Sequence, residues 1–206
     1  MSKLAFYVDT TACSGCKACQ VACNDKNDLW PGISWRRVYE VEVGEWKERD
    51  GVITEKPAGY YISMSCNHCE NPECLKSCPS KALFQTLDGL VLVNPDLCIG
   101  CFYCEWSCPY GALNFDFNTG IMSKCDACED LLFIGKNPAC VDACPMRVLK
   151  FGNFREMANE FGEITQIFPL PDYSMTRPGI LLKPHDASKG AVDDNAGVNN
   201  TQNYRQ

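Results

Sequence analysis

The chain of 206 residues is long enough for one large domain or two small ones, and its 46% apolar and 22% charged residues are typical of a globular protein. The net charge of −7 argues against a nucleic-acid-binding protein, which normally presents a basic patch, so we expect no nucleic-acid partner. No apolar run approaches the length of about 18 residues that a membrane helix needs, so we expect no membrane span. The N-terminus lacks the apolar segment of a secretory signal peptide, and 16 cysteines in such a chain favour metal ligation over disulfide bonds.

The cysteines fall into four groups of four, with none left over. In chain order the groups are Cys13-x2-Cys16-x2-Cys19-x3-Cys23, Cys66-x2-Cys69-x4-Cys74-x3-Cys78, Cys98-x2-Cys101-x2-Cys104-x3-Cys108 and Cys125-x2-Cys128-x11-Cys140-x3-Cys144. The first and third groups reproduce the spacing of bacterial 4Fe–4S ferredoxins. A proline follows the last cysteine of the second, third and fourth groups, whereas Asn24 takes this place in the first group.

A repeated unit surrounds these groups. Apolar runs that begin at Phe6 and Val91 each lead through a polar turn into a cysteine loop, with Gly15 and Gly100 at the same place in the loop. Short apolar runs also follow the three Cys-Pro pairs. The pattern predicts a unit of strand, cysteine loop, short helix and strand, and Asp88-Gly89 predicts a hairpin turn between two such strands.

Residues 24–65 form an aromatic-rich insertion between the first two cysteine groups. The alternation from Val38 to Val43 predicts a strand, and Asp50-Gly51 predicts a turn into a second strand at residues 52–55. The aromatic residues are Trp30, Trp35, Tyr39, Trp46, Tyr60 and Tyr61. They are consistent with the core of a β-hairpin that covers one pair of metal centres. They are equally consistent with a docking surface, because tryptophan and tyrosine anchor many interfaces.

The C-terminal part of the protein starts with a predicted short helix at residues 153–161, for which Gly162 is the C-terminal cap. Residues 168–171 and 178–184 are bounded by prolines and are predicted to be extended. From His185 onward the sequence is polar and lacks periodicity, so disorder is the first prediction and wrapping around a partner is the alternative.

Three cysteines within one short loop suit a 4Fe–4S cubane, because such a loop can ligate several irons of one compact cluster and aim its N–H groups at sulfur. A cysteine followed by proline ligates the second cluster of a pair, which holds the two clusters close together. Structural zinc usually binds C-x2-C pairs separated by a longer loop, and an interaction scaffold with zinc–tetrathiolate sites is the alternative. Spacing leaves the pairing open: the second group can pair with the third and the first with the fourth, or the groups can pair sequentially.

Other polar residues near the cysteines offer no catalytic site. His68, between Cys66 and Cys69, is interpreted as a hydrogen-bonding or exposed residue rather than a ligand. Five lysines could offset cluster charge, although each is first interpreted as a solvated surface residue: Lys17, Lys76, Lys81, Lys124 and Lys136. The sequence has no phosphate-binding loop and no dinucleotide motif. We therefore assign no catalytic residue and expect a protein without chemistry of its own.

The sequence resembles the four-cluster iron–sulfur subunits of molybdopterin oxidoreductases, and among them the electron-transfer subunit of the dimethyl sulfoxide reductase family. The resemblance extends over about residues 4–184. The segments that carry it are Ser34-Trp-Arg-Arg-Val-Tyr39, Ser65-Cys-Asn-His-Cys-Glu70, Cys98-Ile-Gly-Cys-Phe-Tyr-Cys104, Cys108-Pro-Tyr-Gly-Ala112 and Lys124-Cys-Asp-Ala-Cys128.

This resemblance implies an α+β fold with two ferredoxin-like modules, each holding two 4Fe–4S clusters and related by an internal repeat. The expected first module comprises residues 1–23 and 120–152, and the second comprises residues 66–119. Residues 24–65 are then a β-hairpin insertion, and residues 153–206 are a short helix with an extended tail that contacts a partner or is disordered.

The resemblance also implies a nested pairing of the cysteine groups around four 4Fe–4S clusters. The expected ligand sets are Cys13, Cys16 and Cys19 with Cys144; Cys125, Cys128 and Cys140 with Cys23; Cys66, Cys69 and Cys74 with Cys108; and Cys98, Cys101 and Cys104 with Cys78.

By the same resemblance, the protein relays electrons from a quinol-oxidising integral membrane subunit to a large molybdopterin catalytic subunit of an anaerobic respiratory reductase. The complex is expected at the membrane, on the periplasmic face if a partner's signal exports it and otherwise on the cytoplasmic face. The same relay in a polysulfide or thiosulfate reductase, a formate-linked complex or a hydrogenase complex is the alternative function.

Overall fold

The computed structural model describes residues 3–190 and 196–201, in which short strands and short helices alternate, as the predicted mixed fold requires. The strands are β1 (Leu4–Asp9), β2 (Arg37–Arg49), β3 (Val52–Met64), β4 (Leu83–Gln85), β5 (Val91–Val93), β6 (Leu113–Asp116), β7 (Ile121–Lys124), β8 (Leu149–Asn153), β9 (Ile180–Lys183) and β10 (Gly197–Val198). The helices are α1 (Ala18–Lys26), α2 (Glu73–Lys76), α3 (Tyr103–Ser107), α4 (Glu129–Phe133), α5 (Ala139–Asp142) and α6 (Phe154–Phe161). Among the described residues, no helix has the length and apolar character required to cross a membrane.

β1 is the central strand of a three-stranded sheet, antiparallel to β8 and parallel to β9. Phe6 on β1 is in register with Phe151 on one side and Ile180 on the other. Phe6 packs in the main core, whereas its neighbour Tyr7 packs against α6, so both faces of the sheet are covered. Because β1 precedes the first cysteine group and β8 follows the fourth, this sheet brings the two ends of the cysteine array together.

Two small hairpins connect the remaining cysteine groups. β4 and β5 pair between the second and third groups, and β6 and β7 pair between the third and fourth. The turn predicted at Asp88-Gly89 is confirmed, and Gly89 adopts a φ of 83° that glycine tolerates without strain. The order of strands and cysteine loops therefore follows the sequence prediction locally.

The predicted insertion hairpin is confirmed, but its second strand is much longer than predicted. β2 and β3 are antiparallel and contain 13 residues each. Asp50 and Gly51 have φ angles of 55° and 77°, as a two-residue hairpin turn of the favoured hand requires. The prediction ended the second strand at residue 55, whereas β3 continues to Met64 and leads directly into Cys66. The alternation rule missed this continuation because Pro57 and Gly59 interrupt the apolar pattern.

The aromatic residues of the hairpin region divide between core and surface. Tyr60 is buried in the main core, and Trp35, Tyr39 and Tyr61 are partly buried against it. Trp30 lies before the hairpin and is 56% exposed. The side chain of Trp46 lies outside the described residues. The core interpretation therefore holds for most of the described rings, and Trp30 alone among them is largely exposed.

The C-terminal helix forms where it was predicted. The Oδ1 atom of Asn153 accepts hydrogen bonds from the N–H groups of Arg155 and Glu156 and so caps α6 at its N-terminus. Gly162 ends the helix with a φ of 90°. The extended segment before Pro184 is also confirmed, but it forms β9, whose Ile180, Leu181 and Leu182 are completely buried.

The prediction of disorder after His185 is wrong for the part of that tail that the structure describes. Residues 186–190 form a short 3₁₀ turn, and β10 pairs antiparallel with β2. The Nδ2 of Asn200 donates a hydrogen bond to the carbonyl of Val38, and its Oδ1 accepts one from the N–H of Glu40. A polar segment can thus be ordered by satisfying the backbone groups of an edge strand. Residues 191–195 and 202–206 lie outside the described residues.

Candidate metal centres

All sixteen cysteines are free thiols, as a set of metal ligands requires. Nine of them are buried and six are partly buried, while Cys16 is exposed. Within residues 3–190 and 196–201, no three Cys, His, Asp or Glu side chains come close enough together to ligate a single metal ion. A cubane does not require such convergence, because each of its four thiolates is bound to a different iron.

The four C-x2-C loops share one backbone conformation. The residue before the second cysteine has a left-handed φ in every loop: Gly15 at 69°, His68 at 42°, Gly100 at 64° and Ala127 at 62°. This conformation curls the loop back on itself, so that in the fourth group the N–H of Ala127 donates to the Sγ of Cys125 at 3.4 Å. At Gly100 a side chain is also excluded by space, because a Cβ there would lie 2.5 Å from the carbonyl oxygen of Gly120.

The segments after the Cys-Pro pairs also repeat. The third residue after each of these cysteines, Lys81, Gly111 or Arg147, has a φ of 55° to 56°. The N–H group of each of these three residues donates to the carbonyl of its cysteine at 3.1 to 3.4 Å. In the first group, where Asn24 replaces proline, α1 instead continues three residues beyond Cys23, to Lys26. Proline ends the other helices because it lacks an N–H group and disfavours helical geometry in the residue before it.

The first and fourth cysteine groups lie together in the fold. Burial, with the charges of Cys140 and Cys128, raises the pKa of Cys23 to about 12. Burial likewise raises the pKa of Cys13, and Cys19 and Cys144 add to the effect. Each of these thiols thus has neighbours from the other end of the array.

The second and third groups form a corresponding assembly. Burial, with the charges of Cys66 and Cys108, raises the pKa of Cys74 to about 12. Burial, with the charges of Cys78 and Cys98, raises the pKa of Cys104 to about 12. A thiol with a raised pKa is protonated at neutral pH, so metal binding at these sites must displace the proton.

Several donors are directed at the sulfurs, which fits the anionic charge of a thiolate-bound cluster. The N–H of Met122 donates to the Sγ of Cys98 at 3.4 Å, and the hydroxyl of Ser63 lies 3.2 Å from the Sγ of Cys19. The buried side-chain atoms without a hydrogen-bond partner among the described residues include three nitrogen donors near the cysteine loops. They are Nε of Arg36, Nδ2 of Asn67 and Nε2 of His68. Spare buried donors of this kind fit a site that holds an acceptor-rich anion.

His68 is a buried hydrogen-bonding residue, as the first of its two predicted roles required. Its Nδ1 accepts a hydrogen bond from the N–H of Val91 at 3.0 Å, which places the ring proton on Nε2. Burial, together with the charge of Lys124, holds the pKa of His68 well below its ordinary value. The ring is therefore neutral, and it links the second cysteine loop to β5.

One of the five lysines departs from its prediction as a surface residue. Lys124 is only 4% exposed, and its Nζ donates to the backbone carbonyls of Val91 and Cys125. Lys17, Lys76, Lys81 and Lys136 are exposed, as predicted. Sequence reasoning could not separate Lys124 from the others, because all five are single lysines close to a cysteine.

Sequence reasoning also missed the buried Arg36. Its guanidinium is 1% exposed and donates to Ser63 and Ser65 at the end of β3. The adjacent Arg37 is half-buried and donates to the carbonyls of Ser34 and Gly111. Nothing in the Arg36-Arg37 pair indicates which side chain enters the core.

Comparison with known proteins agrees with this geometry. The family described as "4Fe-4S dicluster domain" matches residues 57–154. The sequence is 44% identical over 192 residues to the iron–sulfur subunit of the anaerobic dimethyl sulfoxide reductase of Escherichia coli (strain K12), covering 93% of this chain and 94% of that protein. It is 36% identical over 195 residues to the iron–sulfur subunit of the polysulfide reductase of Wolinella succinogenes, covering 93% and 98% of the two proteins. It is 38% identical over 149 residues to a thiosulfate reductase electron transfer subunit of Salmonella typhi, covering 72% and 74%. The cysteine groups therefore bind 4Fe–4S clusters rather than zinc.

Proposed function

We propose, since this protein belongs to the family of iron–sulfur subunits of dimethyl sulfoxide reductase, that it carries electrons from a quinol-oxidising membrane subunit to a molybdopterin catalytic subunit. The observation that carries this proposal is the continuous array of cysteine loops, in which the first and fourth groups meet and the second and third groups meet. Each bound 4Fe–4S cluster accepts and releases one electron. The protein contributes the thiolates, the hydrogen bonds to sulfur and the burial that set the potential of each cluster.

The proposed ligand sets follow the nested pairing. One cluster is held by Cys13, Cys16, Cys19 and Cys144, and a second by Cys125, Cys128, Cys140 and Cys23. A third is held by Cys66, Cys69, Cys74 and Cys108, and the fourth by Cys98, Cys101, Cys104 and Cys78. The electrostatic neighbours of Cys13, Cys23, Cys74 and Cys104 support these sets, because the charges that raise each thiol's pKa include a cysteine from the paired group.

The two ferredoxin-like modules are likewise proposed with boundaries at residues 1–23 with 120–152 and at residues 66–119. The pairing of β1 with β8 supports the first module, and that of β4 with β5 supports the second. The β6–β7 hairpin joins the two modules, because β6 belongs to the second and β7 to the first. The modules therefore share a hairpin rather than a flexible linker.

Paired cysteine variants test the ligand sets. Cys16→Ser and Cys144→Ser are expected to abolish or convert the same cluster signal in the electron paramagnetic resonance (EPR) spectrum of the reduced, anaerobically isolated protein. Cys78→Ser is the matched control, since it should affect a different signal. Sequential pairing would instead make Cys78→Ser resemble Cys16→Ser. Retention of all four clusters in any of these variants would refute the assignment of that cysteine.

The partners and location are tested by isolating the tagged protein anaerobically from membranes of its native host. We expect a large molybdopterin protein and a small hydrophobic membrane protein to co-elute with it, on the periplasmic face of the membrane. Protease protection in intact spheroplasts would place the complex on the cytoplasmic face instead. A brown protein recovered alone would refute the relay between subunits and indicate a free polyferredoxin. The catalytic site of the recovered partner would distinguish a dimethyl sulfoxide reductase from a polysulfide or thiosulfate reductase.

A further inference from the structure

Arg36 places a permanent positive charge inside the protein without an opposite charge from a carboxylate. Its Nη1 donates to the Oγ and carbonyl of Ser63 at 3.1 and 3.3 Å, and its Nη2 donates to the Oγ of Ser65 at 2.8 Å. The guanidinium also lies 4.4 Å from the ring centre of Phe6. All of these partners are neutral, and no carboxylate of residues 3–190 or 196–201 pairs with Arg36. An arginine cannot lose its proton to escape such a site, so a buried guanidinium requires negative charge nearby.

The negative charge available to Arg36 comes from the cysteines. Burial alone would lower the pKa of Arg36, but neighbouring thiolates reverse this effect and raise it. These thiolates are Cys140, Cys125, Cys19 and Cys23. They belong to the first and fourth cysteine groups. The third proposed cluster has a different cation, because Lys124 lowers the pKa of Cys74 and Cys108 that burial raises.

A hydrogen-bonded path links the guanidinium to one of these sulfurs. The Oγ of Ser63 accepts from Nη1 of Arg36 and lies 3.2 Å from the Sγ of Cys19. When Cys19 is a thiolate ligand it has no proton to give, so the Ser63 hydroxyl must be the donor to sulfur. The Nε of Arg36 is a further buried donor without a partner among the described residues. The arginine thus has both charge and a spare donor for an anionic group in this part of the fold.

We propose that Arg36 is the buried counter-charge for the two clusters held by the first and fourth cysteine groups and that it raises the reduction potentials of both. This inference rests on the proposed function. One-electron reduction adds a negative charge to a cluster, and a fixed cation in a medium of low dielectric constant stabilises the reduced form more than the oxidised form. Arg36 is therefore a positioning residue that sets where electrons reside in this half of the relay.

The test is an EPR-monitored redox titration of the full-length protein, isolated anaerobically with its clusters. In Arg36→Met we expect two of the four clusters to become at least tenfold harder to reduce, which is about 59 mV for a one-electron couple. The other two clusters should keep their potentials. Arg36→Lys should keep all four potentials close to those of the unaltered protein. The matched control is Lys17→Gln, which removes one exposed positive charge from the first cysteine loop and should cause a smaller shift because solvent screens that charge.

Each outcome decides between the counter-charge and a structural role. Unchanged potentials in an Arg36→Met protein that retains four clusters would overturn the proposal, as would a shift no larger than that of Lys17→Gln. If Arg36→Met fails to assemble, Arg36→Lys decides: four clusters with native potentials would support the counter-charge, whereas loss of clusters would show that the shape of the guanidinium matters and not its charge. Fewer than four clusters in the unaltered protein would refute the proposed function itself, which is a different result from four clusters that ignore Arg36.

Discussion

The hydroxyl oxygen of Ser63 lies 3.2 Å from the Sγ of Cys19, although 44 positions separate the two residues in the sequence. Ser63 is at the end of β3, and Cys19 is in the first turn of α1. The hairpin therefore does more than cover the metal centres, because it supplies a hydrogen bond to one of their ligands. Hydrogen bonds to sulfur are among the factors that set the potential of an iron–sulfur cluster.

Ser63→Ala should lower the midpoint potential of the cluster that includes Cys19. Loss of one hydrogen bond of about 1 kcal/mol corresponds to a shift of about 40 mV for one electron. Ser65→Ala is the control, because the Ser65 hydroxyl bonds Arg36 and the carbonyl of Cys66 but is not a partner of Cys19. Redox titration of both variants measures the difference, and equal shifts would contradict a specific role for the Ser63–Cys19 contact.

Gly100→Ala should destabilise the third cysteine loop more than Gly120→Ala does. Both glycines have a left-handed φ, of 64° and 71°, so each alanine is expected to cost about 1–2 kcal/mol in backbone strain. A Cβ at Gly120 meets no atom within 4 Å, whereas one at Gly100 lies 2.5 Å from the Gly120 carbonyl oxygen. We expect this overlap to add about 1–3 kcal/mol. Denaturant unfolding of the cluster-loaded protein, followed by loss of its visible absorbance, compares them; equal destabilisation would argue against a steric origin.

Asn24→Pro should destabilise the protein even though proline stands at the corresponding place in the other three groups. Asn24 lies inside α1, so a proline there removes a helical hydrogen bond and clashes with the preceding turn, at a cost of about 3 kcal/mol. Asn24→Ala keeps the helix and is the control. Thermal unfolding under anaerobic conditions gives the comparison. A proline variant as stable as the alanine variant would show that α1 can end at Cys23 without loss.

Asn200→Ala should loosen the edge of the long hairpin. The Asn200 side chain makes two hydrogen bonds to the backbone of β2, one from Nδ2 to Val38 and one to Oδ1 from Glu40. Each is worth about 1 kcal/mol, so we expect a loss of about 2 kcal/mol in unfolding free energy. Hydrogen exchange of the Glu40 amide should also become faster. Asn199→Ala, at an exposed neighbouring position, should change neither quantity, and an equal effect of the two variants would remove the role assigned to Asn200.

Features that depend on neighbouring residues could be predicted from the sequence. The spacing of the cysteines indicated the cofactor, because the loop that ligates a cubane is only a few residues long. Asp50-Gly51 and Asp88-Gly89 located hairpin turns, and Asn153 with Gly162 bounded α6, because turns and helix caps are decided by local backbone geometry. The family resemblance then supplied the electron-transfer function, which the comparisons bear out.

Only the tertiary structure decided which polar residues enter the core and which distant segments pair. Arg36 is buried while Arg37 beside it is half-buried, and the difference depends on Ser63 and Ser65, which β3 places next to Arg36. The parallel pairing of β9 with β1 and the return of Asn200 to β2 join positions more than 150 residues apart. Such contacts form between surfaces that exist only once the core has assembled, because the partner groups that satisfy a buried charge or an edge strand are supplied by other parts of the chain.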